Sequence, residues 1–484
     1  MNKGLFEKAN YQKLSELAFM GNPLIEALPF LGEPQDYASR LLVCMPYSED
    51  DRKLSMTKRL NKLQYIKQLH VPSTIDTEIA MNIDRCLHWG YYGRNPMPMS
   101  VVQSAVEEAG IPFDDSLKKL YRSYKQPTYG FPVFGISGVG KTCSVMNVLT
   151  NYPQVIVHYN YRGCPFLMHQ LVWLKVDCPP DGTIKGLCQR ILQGIDKVLG
   201  TTFSTQRSFN RISKDVMLGD LSRAIDSCAM GLLVIDDVQT LCNTKDQVSR
   251  EMLNFLLSLV NNADIPVIMV GAPKFIAIIK SEFQQAKRVT GEGEVHMDLL
   301  KKGSRDWTRF MSALWRYQYT RTPVPLDDAM ADVFYEETVG NQFLMAILYK
   351  LVQDYAIINR DETFTPETVH MVADYKLGLT KKQREDMRKG LDVELREFEE
   401  LWNTPAVTPE VPESSPEQHG NNTQDLAARL MSEKQLSMQA AKVIARQVRA
   451  ALPTEKDPDK LYLYALDLYQ HSESAETEDP ADAR

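Results

Sequence analysis

The chain has 484 residues, 44% of them hydrophobic and 24% charged, with a formal net charge of −7. That length suits two or three domains, and that balance suits a soluble globular protein. No apolar run approaches the ~20 residues that cross a bilayer, and Met1 to Ala18 mixes Lys, Glu and Asn, unlike a secretory leader. The eight cysteines form no Cys-x-x-Cys pair and the eight histidines fall in no metal-ligand spacing. The expectation is a reduced, cytoplasmic protein with no structural zinc, and the acidic balance argues against a general nucleic-acid binder while leaving room for a local basic strip.

Residues 1–80 carry no catalytic motif and read as an N-terminal, partner-binding extension. Asn22 to Pro29 is a short apolar segment bounded by prolines. Arg52 to Leu63 is basic and amphipathic at helical spacing. It reads as a solvated helix face or as a docking or DNA-backbone surface. Beyond Ile83 to Leu87, Gly90 to Pro96 is a loop rich in Gly, Asn and Pro. Tyr91, Tyr92 and Arg94 lie just ahead of the next motif, with two readings open: packing on an adenine ring, or packing in the core.

Residues 81–304 read as a nucleotide-binding core. Gly135-Ile136-Ser137-Gly138-Val139-Gly140-Lys141-Thr142 fits the phosphate-loop pattern G-x-x-x-x-G-K-[ST]. Glycines let successive backbone N–H groups turn toward phosphates. Lys141 supplies a point charge to the β- and γ-phosphates, and the Thr142 hydroxyl suits Mg²⁺. Phe131 to Phe134 reads as a buried strand and Thr142 to Thr150 as a helix, whose N-terminus attracts anions. Gly135, Ser137, Gly138, Val139, Gly140, Lys141 and Thr142 are therefore the candidate ATP-binding residues.

Strands over Leu171–Val176, Leu232–Ile235 and Pro266–Val270 alternate with helices over Ile184–Leu199 and Glu251–Asn261. That alternation predicts an α/β fold with a parallel sheet. Leu232 to Asp237 ends an apolar run in two acids, at the strand edge where ligands bind in open α/β sheets. Asp236 is the candidate to hold Mg²⁺ through water, together with Thr142, and Asp237 the candidate to polarise the attacking water. Lys185 at a helix start and Arg207, Arg211 and Lys214 in a polar stretch are candidate contacts to DNA phosphates, with ordinary surface charge as the alternative.

Residues 305–401 read as helices without strands, a helical lid. Residues 402–424, punctuated by Pro405, Pro409, Pro412 and Pro416, read as a disordered linker. Residues 425–484 recover helical periodicity as a small tethered module with an acidic, frayed tail.

The core resembles AAA+ ATPases. Over about residues 15–360 the chain more closely resembles the TnsC family, the AAA+ regulators of multi-subunit cut-and-paste DNA transposition. The specific segments are Asn22-Pro23-Leu24-Ile25-Glu26-Ala27-Leu28-Pro29, Gly90-Tyr91-Tyr92-Gly93-Arg94-Asn95-Pro96, and Gln170 to Cys178 with its Q-x-V-x-L-K-x-D-C pattern. The resemblance implies an ATP- and Mg²⁺-dependent ATPase that assembles on double-stranded DNA as a ring or helical filament. It implies backbone contacts without sequence readout, a bacterial, DNA-associated location, and two further partners: transposase subunits and a target-selector protein. It also implies that one subunit donates a basic residue to its neighbour's γ-phosphate, for which Arg288, beside Lys287, is the candidate by position.

Three departures from the family pattern point to slow hydrolysis. Asp237 stands where Glu is usual, Ala272 stands at a sensor position usually polar, and Gly340 to Phe343 offers no arginine. A helicase-loader or replication-initiator ATPase and a non-hydrolysing, ATP-gated scaffold filament are the alternatives.

Overall fold

The computed structural model describes residues 6–29, 33–122, 129–205, 214–238, 255, 264–273, 291–390 and 448. The chain divides into two units, Met1–Thr404 and Pro405–Arg484. Both sheets lie in the first. But for Phe255 and Val448, the expected helix over Glu251–Asn261, the linker and the C-terminal module lie outside the described residues.

The strands in chain order are β1 (Phe6–Lys8), β2 (Phe131–Gly135), β3 (Val155–Tyr161), β4 (Cys164–Leu171), β5 (Trp173–Asp177), β6 (Leu232–Asp236), β7 (Val267–Gly271) and β8 (Val295–Met297). Five form one parallel sheet in the order β5-β6-β7-β2-β8. Successive residues of a strand face opposite ways, so each strand feeds two cores. Leu233 and Ile235 of β6, with Val267 and Met269 of β7, pack under the helices Ile184–Leu199 and Lys214–Ser227. Leu232 and Val234, with Ile268 and Val270, pack under the helices Thr74–Tyr92 and Lys141–Leu149. Coverage on both faces explains why β2 and β7, and β6 up to its terminal Asp236, are apolar and buried throughout.

The sheet differs in two ways from the one expected. Leu171–Val176 is not one strand: β4 ends at Leu171, and after Val172 the chain enters the other sheet as β5. The parallel sheet also holds a strand that the sequence did not mark, β8, which joins the edge of β2. The second sheet, β1-β3-β4, is a hairpin with an added strand. Arg162 and Gly163 make its two-residue turn, both at positive φ (46° and 81°), which matches the twist of the strands it joins.

Two of the three segments that carry the TnsC resemblance stitch to one another. The Asn22 side chain donates to the Tyr91 carbonyl at 2.9 Å, and the Asn95 side chain donates to the Gly21 carbonyl at 2.9 Å. Asn22 also caps its own short helix by accepting from Leu24 N–H. Tyr11 is tied through the hairpin to Leu24 by a relay of side chains. Tyr11 Oη lies 2.9 Å from His158 Nδ1, His158 Nε2 lies 2.9 Å from Gln170 Oε1, and the Gln170 amide donates to the Leu24 carbonyl.

Residues 43–72 do not stand apart as an extension. Leu63 and Ile66 are buried in the core of the C-terminal helices, with Trp307, Phe310, Leu314, Tyr349 and Val352. Arg59, 1% exposed, donates to both Glu362 oxygens at 2.6 Å and to the Tyr319 carbonyl at 2.8 Å. Arg52 donates to the Gln318 carbonyl, and Lys62 pairs with Asp51 at 2.8 Å. Arg52 and Arg59 thus dock the stretch 52–63 on the lid, a role not expected of it, while Lys53 and Lys58 stay exposed to solvent. The lid itself comprises the helices Arg305–Trp315, Asp328–Thr338, Gln342–Ile358, Pro366–Lys376 and Lys381–Arg388.

Candidate nucleotide site

Strand β2 delivers Gly135 to the carboxyl edge of the sheet, and the loop 136–140 returns the chain into the helix Lys141–Leu149. Gly138 and Gly140 take φ of 82° and 95°, a region side chains with a Cβ avoid. A Cβ on Gly138 would also lie 2.7 Å from Asn341 Oδ1. Val139 is 2% exposed and packs into the core, so it offers a ligand only its backbone. Lys141 Nζ donates to the Gly135 and Ile136 carbonyls at 2.8 and 2.9 Å, which holds its charge over the loop.

The Thr142 hydroxyl donates to Asp236 Oδ2 at 2.9 Å, which joins the phosphate loop to the end of β6. Asp236 is 5% exposed and fully specified: Oδ1 accepts from Asp237 N–H at 2.9 Å, while Oδ2 accepts from Thr142 and from Lys175 Nζ at 3.1 Å. A hydroxyl and a carboxylate side by side form a hard-oxygen donor set that suits Mg²⁺, which is held by few protein oxygens plus water and phosphate. With the glycine cradle beside them, the residues present fit a magnesium nucleotide. Asp237 follows in a left-handed backbone, φ 60°, with its side chain exposed at the same edge. Asp tolerates that conformation better than most residues.

Two contributors were not foreseen. Lys175 of β5 reaches Asp236 and also Asp177 Oδ1 at 2.5 Å. Burial disfavours its charge, but the hydrogen bond to Asp177 and the charge of Asp236 outweigh this and raise its pKa above the ordinary lysine value. A lone lysine inside the apolar run Leu171 to Val176 was the available signal, because buried charges are paired. The second is Asn341, N-cap of the lid helix Gln342–Ile358. Its Oδ1 accepts from Leu344 N–H, its Nδ2 donates to the Ser137 carbonyl at 3.0 Å, and Phe343 N–H donates to the Gly138 carbonyl at 3.1 Å. Ala272, 4% exposed, follows the end of β7 at the same edge.

Tyr92 and Arg94 do not join this site. Arg94 stacks on Tyr91 and donates to the Gly90 carbonyl at 2.9 Å and to the Met230 carbonyl at 2.8 Å. Met230 precedes β6, whose far end carries Asp236. A five-residue strand spans about 16 Å, so Arg94 sits at the opposite edge of the sheet from the phosphate loop. Tyr92, next to that edge, packs edge-on against Trp89. They precede the phosphate loop in sequence, but the 19-residue helix Thr74–Tyr92 delivers them to the far edge of the sheet.

Of the DNA candidates, Lys185 lies in the first turn of the helix Ile184–Leu199, which Thr183 caps by accepting from Gly186 N–H at 3.0 Å. That turn follows β5 on the carboxyl side of the sheet. Lys214 begins the helix Lys214–Ser227. Arg207, Arg211, Lys287 and Arg288 lie outside the described residues.

A scan of family models matches the AAA domain over residues 130–279, the stretch that holds the phosphate loop, Asp236 and β7. The chain carries an AAA domain. The five-stranded parallel sheet, its strand order and the helical region that follows make this an AAA+ P-loop fold. Among solved structures, the AAA domain and its surroundings are similar to the Aeropyrum pernix ORC1 protein in complex with DNA, at 14% identity and TM-score 0.36, covering 79% of this chain and 86% of that one. A Walker-type ATPase of Pyrococcus abyssi is similar at 14% identity and TM-score 0.35, covering 57% and 75%. The Drosophila ORC structure bound to DNA is similar at 11% identity and TM-score 0.32, covering 71% and 73%. No curated protein matches the chain. Among the described residues, no helix is long and apolar enough to cross a membrane.

Proposed function

We propose that this chain is an ATP-binding, DNA-associated AAA+ switch that regulates transposition, with slow ATP hydrolysis. The observation that carries the nucleotide half is the Thr142–Asp236 hydrogen bond beneath the glycine cradle. It unites the two halves of a magnesium-nucleotide site from positions 94 residues apart in sequence. The AAA domain over 130–279 supports the same reading. Lys141 would hold the β- and γ-phosphates, Thr142 and Asp236 would hold Mg²⁺, and Asp237 would orient the water. When bound, the metal supplies charge neutralisation at the phosphates.

The transposition half rests on the TnsC-like segments, and the DNA and self-assembly roles follow from it. The protein would assemble on the duplex backbone as a ring or filament, recruit the transposase, and answer to a target-selector protein. Lys185, Arg207, Arg211 and Lys214 remain the proposed phosphate contacts and Arg288 the proposed finger in a neighbour's site.

The test is Lys141→Ala. It should abolish binding of a fluorescent ATP analogue and ATP-dependent retention of double-stranded DNA together. Wild-type DNA retention should be indifferent to sequence and fall steeply with salt. Loss of nucleotide binding with DNA affinity intact would end the switch reading. Strong preference for one sequence would favour an initiator.

A further inference from the structure

The metal site contains a cation of the protein's own. Lys175 rises from the edge strand β5, in register with Val234 of β6, and its ammonium lies between two carboxylates. One is Asp177, at 2.5 Å, and the other is Asp236, at 3.1 Å. The Asp236 oxygen it contacts is the same Oδ2 that accepts from Thr142. That oxygen is the one the nucleotide reading assigns to the coordination sphere of Mg²⁺. The Lys175 side chain is 21% exposed, against 57% for Asp177 and 7% for Asp236. The buried carboxylate is therefore balanced from within the sheet, and the exposed one draws the ammonium outward.

We propose that Lys175 is a positioning residue that sets the divalent-metal requirement of nucleotide binding, by holding and neutralising Asp236 in competition with the metal. The inference rests on the magnesium-nucleotide reading of the site. It makes Asp177 the counterweight. While Asp177 keeps hold of the ammonium, Asp236 retains enough negative charge to attract a divalent ion.

The competition fixes two opposite signs. Lys175→Met removes a positive charge about 3 Å from the metal-facing oxygen, so a divalent ion should bind more tightly. Asp177→Asn removes the outward pull, so Lys175 should bear harder on Asp236 and the ion should bind more weakly. Charges at such separations near a protein surface interact strongly enough for shifts of about tenfold each way. Lys175→Arg keeps the charge and should stay near wild type.

The experiment titrates Mn²⁺ by electron paramagnetic resonance, and Mg²⁺ by fluorescence of a bound ATP analogue, on the full chain. The inference predicts a lower half-saturating metal concentration for Lys175→Met and a higher one for Asp177→Asn. Equal values for both variants and the wild type, or shifts of the same sign, overturn it. If Lys175→Met fails to fold, Asp177→Asn decides alone, since it alters a side chain at the surface. A wild type that binds no nucleotide at any metal concentration overturns the nucleotide reading and this inference with it. A wild type that binds with metal, beside variants that do not move, overturns the inference only.

Discussion

The clamp between residues 43–72 and the lid makes a quantitative prediction. Arg59 is 1% exposed and spends its guanidinium on Glu362 and the Tyr319 carbonyl. Removing one partner of such a pair strands a buried charge, at about 3–5 kcal/mol. Here the Glu362 side chain is 19% exposed and a second cation, Arg321, lies 3.7 Å from it. Truncating the acid therefore strands the better buried group, and truncating the base strands a carboxylate that water and Arg321 still serve. Glu362→Ala should cost about 3 kcal/mol and Arg59→Met about half that, with Arg59→Met/Glu362→Gln recovering part of the loss. Urea unfolding followed by tryptophan fluorescence is the assay, because Trp307 and Trp315 are buried in the lid core. The pH dependence gives an independent reading. Arg59 holds the Glu362 carboxyl below its ordinary value. Its contribution is complete above the unfolded value, near pH 4.3, and is lost as pH falls through the lower folded value. A Glu362→Ala variant within about 0.5 kcal/mol of wild type would refute the clamp and return 52–63 to the solvent.

Two other outcomes follow from buried groups. Gln170 donates to Leu24, so its oxygen faces His158, which must donate from Nε2 and accept from Tyr11 at Nδ1. Burial lowers the His158 pKa, so the unfolded chain takes up a proton near pH 6.5 that the folded one refuses. Stability should fall by up to about 1.4 kcal/mol per pH unit below that point, and His158→Gln, which retains a donor, should remove this part of the slope in urea melts from pH 7 to 5.5. Asn341→Asp keeps the helix cap but turns the donor facing Ser137 into an acceptor. It should weaken binding of an ATP analogue about tenfold, the loss of one hydrogen bond to a half-buried carbonyl, and an unchanged affinity would separate the lid from the loop.

Much of the core was legible because its signals are local. The helix Ile184–Leu199 runs over the residues its periodicity marks, between the cap Thr183 and Gly200 at φ 73°. Strands β2, β6 and β7 are apolar runs that only a doubly covered sheet explains. What could not be read depends on distant partners. Strand β8 has three residues, Val-His-Met, and exists because β2 offers it an edge. In the hairpin, His158 and Asn160 break the apolar pattern, and His158 is buried only because Tyr11 and Gln170 satisfy it. The charge pattern of 52–63 is that of a surface helix, and nothing local names Glu362, 303 residues away, as the partner of Arg59. Tyr92 and Arg94 mislead for the opposite reason: they precede the phosphate loop in sequence, but the helix Thr74–Tyr92 delivers them to the other edge of the sheet.

The absence of an arginine at the lid's approach to the site acquires a physical sense from these contacts. A lid arginine would touch the nucleotide itself, and its grip would depend on a phosphate being there. Asn341 and Phe343 instead hold the carbonyls of Ser137 and Gly138, which belong to the loop that a phosphate would wrap. The lid is thereby attached to the backbone of the loop and senses its conformation. The same lid carries residues 43–72 through Arg59 and a shared apolar core. A change in loop backbone is felt first at the opening turn of the helix Gln342–Ile358, and then by a packed body that includes the N-terminal segment. Such a body moves as a unit or not at all, because close-packed interiors do not deform continuously. The coupling between lid and loop therefore runs through hydrogen bonds to main chain rather than through a contact to the nucleotide.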